Sequence, residues 1–141
     1  MVRVSSFAMD VEERILREFR RIAVVGLSAD PGSPSFGVAS YMRGQGYTIL
    51  PVNPNLVDWL GLTAYPDLRS VPPPVEIVDI FRKSAAAGEV VDEAVRVGAK
   101  AVWMQEGVVD QQAARRAREA GLLVVMDRCI LKAHRQVVAP R

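Results

Sequence analysis

The chain is poor in reactive side chains: 141 residues hold one cysteine and one histidine. With Cys129 alone no internal disulfide can form, and no zinc-finger spacing exists. His134 stands near the C-terminus, with no acidic or nucleophilic partner pattern around it. No catalytic set and no metal site are therefore assigned. Charge of one sign is scarce too, since 18 Lys and Arg oppose 16 Asp and Glu for a net charge of +2. The one dense basic cluster, Arg115, Arg116 and Arg118, falls on a predicted helix beside Glu119. It reads as a solvated face, so nucleic acid is not an expected partner. No apolar run approaches the roughly 20 residues needed to cross a bilayer. The N-terminus lacks the apolar core of a signal peptide. A cytoplasmic protein without a membrane partner is the expectation.

Half of the residues are hydrophobic and 24% are charged, the balance of an ordinary globular protein. The length suits one domain, residues 1–141, able to bury a substantial core. A first helix is expected over 8–20, capped by Asp10 with Glu13 in a capping-box arrangement. Val11, Ile15, Leu16 and Phe19 form its apolar face.

Five near-continuous apolar runs follow, at 22–26, 47–52, 75–81, 101–104 and 122–126. Runs without alternation indicate strands covered on both faces, hence a parallel sheet. Helices are expected over 34–45, 87–97 and 110–120, with a last short one at 128–135. Three times the chain reads helix, glycine, strand, at Gly46, Gly98 and Gly121, where a left-handed residue ends a helix. Strands alternating with helices predict a doubly wound α/β fold. Right-handed crossovers predict strand order 3-2-1-4-5. The stretch 56–74, with Gly61, Pro66 and three consecutive prolines, is irregular where a crossover helix would stand. Pro66-Asp67-Leu68 is read there as the start of one short helical turn.

In such a sheet a ligand lies beyond the carboxyl ends of the strands. The first of these ends opens the stretch I-A-V-V-G-L-S-A-D-P-G-S-P-S-F-G, residues 22–37. Ser33 reads as a helix N-cap with Pro34 at the first helical position. Strand, turn and helix start present backbone N–H groups to a phosphate. The stretch lacks the second and third glycines of a dinucleotide fingerprint, where Ser28 and Pro31 stand. It also lacks the Gly-Lys-Ser/Thr of a P-loop. Gly26, Ser28, Ser35, Phe36 and Gly37 are its candidate ligand residues.

Strand two ends in Asn53 and Pro54, where an NAD enzyme would place an acid for the ribose. After strand three come Phe81, Arg82 and Lys83, two cations that suit phosphates and a ring that suits an adenine. Gln105 and Glu106 follow strand four, and Cys129 follows strand five at a candidate helix start.

The ordered segments V-G-L-S-A-D-P-G-S-P-S-F-G-V-A-S-Y-M, G-Y-T-I-L-P-V-N-P, D-I-F-R-K-S, G-A-K-A-V-W-M-Q-E-G-V and A-G-L-L-V-V-M-D-R-C span about residues 10–135. Together they resemble the small stand-alone CoA-binding proteins, which are similar to the N-terminal CoA-binding domain of the succinyl-CoA synthetase α subunit. The resemblance implies a three-layer, Rossmann-like nucleotide-binding fold that binds coenzyme A or an acyl-CoA. It places phosphate at 28–37, with Ser28, Ser35, Phe36 and Gly37 matching best, and Asn53 and Pro54 beside the adenosine. It assigns Ile80, Phe81 and Arg82 after strand three, and Met104, Gln105 and Glu106 after strand four. The α subunit has a lysine after strand two where this chain has Asn53-Pro54-Asn55, and its loop is richer in glycine and threonine. Its second domain, with the phosphorylated histidine, has no counterpart here, so acyl-CoA ligation is not implied. The expected function is coenzyme A binding without catalysis. An NAD(P)-binding oxidoreductase and a regulatory or structural domain with a vestigial pocket are the alternatives. A homodimer or a protein partner is the assembly considered.

Overall fold

A computed structural model describes residues 10–138. Helix α1 (Val11–Glu18) is capped by the Asp10 carboxylate, which accepts from the Glu12 N–H. The expected start at residue 8 lies outside the described residues. Glu13 does not complete a capping box; it accepts from Arg17 one turn on, at 2.7 Å.

Strands β1 (Arg21–Val25), β2 (Thr48–Val52), β5 (Ile77–Ile80), β6 (Ala101–Met104) and β7 (Leu123–Val125) form one parallel sheet in the order β2-β1-β5-β6-β7. Between β2 and β5 lies an antiparallel pair, β3 (Asp58–Trp59) and β4 (Leu62–Thr63). The expected 3-2-1-4-5 pattern holds once the place outside β2 is counted. There Tyr65 makes a single parallel bridge to Val52. The segment 75–81, numbered third in the sequence, lies on the other side of β1 as the fourth place of that pattern. A turn of 3-10 helix (Leu68–Ser70), capped by Asp67, stands where one short helical turn was expected.

Helices α2 (Pro34–Gly44) and α5 (Ile130–Val137) cover one face of the sheet together with α1. Helices α3 (Ser84–Arg96) and α4 (Gln111–Glu119) cover the other. Alternate strand residues feed the two cores. Ile22, Val24, Ile77 and Trp103 meet the first set of helices, and Ala23, Val25, Val78, Ile80 and Met104 the second. With both faces covered, the strands carry no polar alternation, which is why they read as continuous apolar runs. Helix α3 starts three residues before the expected Ala87. Ser84, Ala85 and Ala86 are good or tolerated helix formers outside the apolar stripe. No described helix is long and apolar enough to cross a membrane.

Candidate functional site

All five strands run the same way, so their carboxyl ends share one edge. The crossovers diverge between β1 and β5, and a cleft of about 590 Å³ opens above these two strands. Gly26 and Phe81 form its base. Gly26 has φ +90°, and a Cβ placed there would stand 2.2 Å from the Phe81 carbonyl oxygen. Only a glycine lets these two chain ends pass so closely.

The wall on the β1 side is the loop from Ser28 to the start of α2. Its hydroxyls first serve the loop itself. Ser35 is 4% exposed, and its Oγ accepts from the Ser28 N–H at 3.0 Å. Ser28 Oγ accepts from the Asp30 N–H, and Asp30 Oδ1 from the Gly32 N–H. Ser33 is the N-cap of α2, its Oγ accepting from the Phe36 N–H, with Pro34 at the first helical position. The Gly37 N–H reaches the Ser33 carbonyl at 3.4 Å. The Ser35 N–H has no such partner among the described residues and is one of the orphan donors of a helix start. The positive end of the helix dipole adds to the field there.

The opposite wall is Phe81, Arg82 and Lys83, with Gln105, Glu106, Gly107 and Val108 beyond. Glu106 is tied to Lys132 on α5 at 3.0 Å. Arg82 and Lys83 are exposed and form no ion pair among the described residues. The unbalanced charge of the cleft is therefore positive. Lys83 is also the N-cap residue of α3, a helix start with no side-chain cap.

Gln105 is buried, and its Oε1 accepts from the Ile130 N–H at 3.0 Å. It thereby caps α5 in place of Cys129, whose side chain makes no cap bond. Cys129 is buried at this helix start and lines the cleft. Gly107 is strapped from two sides, since its N–H donates to Asp127 Oδ1 and its carbonyl accepts from Ser84 Oγ. His134 lies away from the cleft. It is buried with Nδ1 2.8 Å from the Tyr41 hydroxyl, and burial, then Arg20, holds it below the usual histidine range.

Of the residues singled out in the sequence, Gly26, Ser28, Ser35, Phe81, Arg82, Lys83, Gln105 and Glu106 line the cleft together. Six others lie elsewhere. Ile80 and Met104 point into the core beneath α3 and α4. The Phe36 ring packs edge-on against Trp59, with centroids 5.2 Å apart. Gly37 is exposed on α2, with nothing within 4 Å of where a Cβ would be. Pro54 is exposed, and the Asn53 amide is spent on the Leu27 carbonyl and the Asn55 N–H. Val38 and Val108 line the cleft without having been singled out. As ordinary apolar residues next to polar loops, they carried no signal.

The sequence matches the CoA binding domain over residues 20–135. An uncharacterized protein of Bacillus subtilis, YneT, is 39% identical over 122 residues, covering 86% of this chain and 90% of that one. A hypothetical protein from Pyrococcus horikoshii superimposes with a TM-score of 0.87 at 33% identity, over 98% of this chain and 99% of the other. The ADP-forming acetate–CoA ligase II of Archaeoglobus fulgidus is 30% identical over 95 residues, which are 65% of this chain but 14% of the ligase. A five-stranded parallel sheet with its cleft at the carboxyl edge, and a match through nearly the whole described chain, fix the assignment: the protein belongs to the CoA-binding domain family.

Proposed function

We propose that the cleft above β1 and β5 binds coenzyme A, and that the chain does so without catalysis of its own. The observation that carries this reading is the pairing of the α2 N-terminus with two cations that form no ion pair among the described residues, facing each other across a cleft of ligand size. A diphosphate fits between the α2 N-terminus and the Arg82–Lys83 pair. The Phe81 ring offers an apolar face for the adenine. The cleft is open space and is not filled by side chains, which favours a live site over a vestigial one. Among the described residues no group of three or more His, Cys, Asp and Glu could hold a metal. No residue is assigned a catalytic role.

Titration calorimetry with coenzyme A, NADP and NAD tests the reading. Heat with coenzyme A alone is the expected result, and binding of NADP without coenzyme A would replace it with the oxidoreductase reading. Arg82→Ala should weaken coenzyme A by about 1–3 kcal/mol, the scale of a lost charge-assisted bond. An unchanged dissociation constant would remove Arg82 from the site.

A further inference from the structure

We propose that the segment 53–65, with its β3–β4 hairpin, is a clamp that presets the phosphate loop, and that Asn53 and Trp59 are its positioning residues. The proposal rests on the coenzyme A reading above. The segment stands where a doubly wound fold has a crossover helix, and its contacts with the loop are specific. Asn53 Nδ2 donates to the Leu27 carbonyl at 2.9 Å. Trp59 Nε1 donates to the next carbonyl, that of Ser28, at 3.1 Å. Two successive carbonyls are thus held from one side.

Both donors are themselves fixed. The Asn53 N–H donates to the Tyr65 carbonyl, and its Oδ1 accepts from the Asn55 N–H. Trp59 is 2% exposed and meets the Phe36 ring, which belongs to the first turn of α2. The hairpin therefore touches the loop at its beginning and at its end.

The consequence follows from peptide planarity. In a trans peptide the N–H points opposite to the carbonyl. With the Leu27 carbonyl turned to Asn53, the Ser28 N–H points the other way, and there it meets Ser35 Oγ. With the Ser28 carbonyl turned to Trp59, the Ala29 N–H must likewise point away from the hairpin. It has no hydrogen-bond partner among the described residues. The clamp thus fixes the direction of the Ala29 N–H and, through the Ser28 N–H bond to Ser35 Oγ, ties the loop to the first turn of α2 before any anion arrives. Such presetting raises affinity because the ordering cost is met in the folded protein and not on binding.

The test uses Trp59→Phe, which keeps the ring and removes the donor, and Asn53→Ala. Tyr41→Phe, which breaks the His134 contact away from the cleft, serves as a control for stability alone. Affinities for coenzyme A and ADP are measured by calorimetry, and amide exchange of residues 28–36 is followed without ligand. Both clamp variants should lose about tenfold in affinity for each ligand, the scale of one preset hydrogen bond. Loop exchange should quicken in both, while Tyr41→Phe changes neither. Unaltered affinity and exchange in the folded Trp59→Phe and Asn53→Ala proteins would overturn the clamp. If the wild type takes up neither coenzyme A nor ADP, the ligand reading falls. The exchange of the free loop then decides by itself whether the hairpin holds it.

Discussion

Gly26→Ala should destabilise this protein by about 4 kcal/mol or more, in the range kept for severe core and backbone disruption. Two costs coincide at this position. A φ of +90° is open to glycine and strained for alanine. The new Cβ would also stand 2.2 Å from a main-chain oxygen, that of Phe81, which no side-chain rotation can move. Relief requires β1 and β5 to part at their carboxyl ends. That would stretch the 2.9 Å bond from the Phe81 N–H to the Val25 carbonyl, which joins these two strand ends.

Gly46→Ala is the matched control. Gly46 has φ +97°, but nothing lies within 4 Å of its missing Cβ. Only the conformational cost applies there, about 1 kcal/mol. Thermal unfolding should fall by roughly 15 °C for Gly26→Ala and by a few degrees for Gly46→Ala. Equal losses would mean that the strand ends can yield, and that the base of the cleft is softer than the geometry implies.

The same base shows what the sequence could and could not convey. Parallel strands put all carboxyl ends on one edge, so Gly26, Phe81, Arg82, Gln105 and Glu106 converge whatever the details of packing. Glycine-ended helices and unbroken apolar runs were enough to locate those ends. Face parity was not legible. Ile80 and Phe81 are neighbours, yet one enters the core under α3 and the other lines the cleft. Successive strand residues point to opposite faces, and a run that is apolar on both faces does not say which is which. The fate of Asn53 was hidden for another reason. Its partner Leu27 is 26 residues away, and the contact exists only because the 53–65 segment folds back over the loop. The turn signals at Gly61 and Pro66 marked an irregular stretch but not the surface it covers. The place of 75–81 beside β1 was likewise hidden, because the outer position is taken by Tyr65 through a one-residue bridge without the look of a strand.

Asp79→Val should make the protein more stable at neutral pH, by about 2 kcal/mol, as expected when a buried polar group without a partner is removed. Asp79 lies in the middle of the sheet, 1% exposed, with Val24 and Trp103 beside it on the neighbouring strands. Its Oδ1 has no hydrogen-bond partner among the described residues. Burial alone pushes its carboxyl well above the ordinary 3.8. The sign of the pH effect follows. Above pH 4 the unfolded chain releases this proton while the folded protein keeps it. The folded state then binds more protons, so stability declines as pH rises towards the folded-state value. Asp79→Asn keeps the polarity and removes the titration. Its advantage over the wild type should therefore be smallest near pH 4 and widen towards neutrality. Denaturant unfolding at several pH values measures this directly. Parallel curves for the wild type and Asp79→Asn between pH 4 and 8 would show that the carboxyl finds a partner in solution. If they diverge as expected, an acid that weakens the sheet sits one same-face step below Gly26, Phe81 and Gln105. The layer under the cleft floor is then held at a cost in stability that an apolar residue would remove.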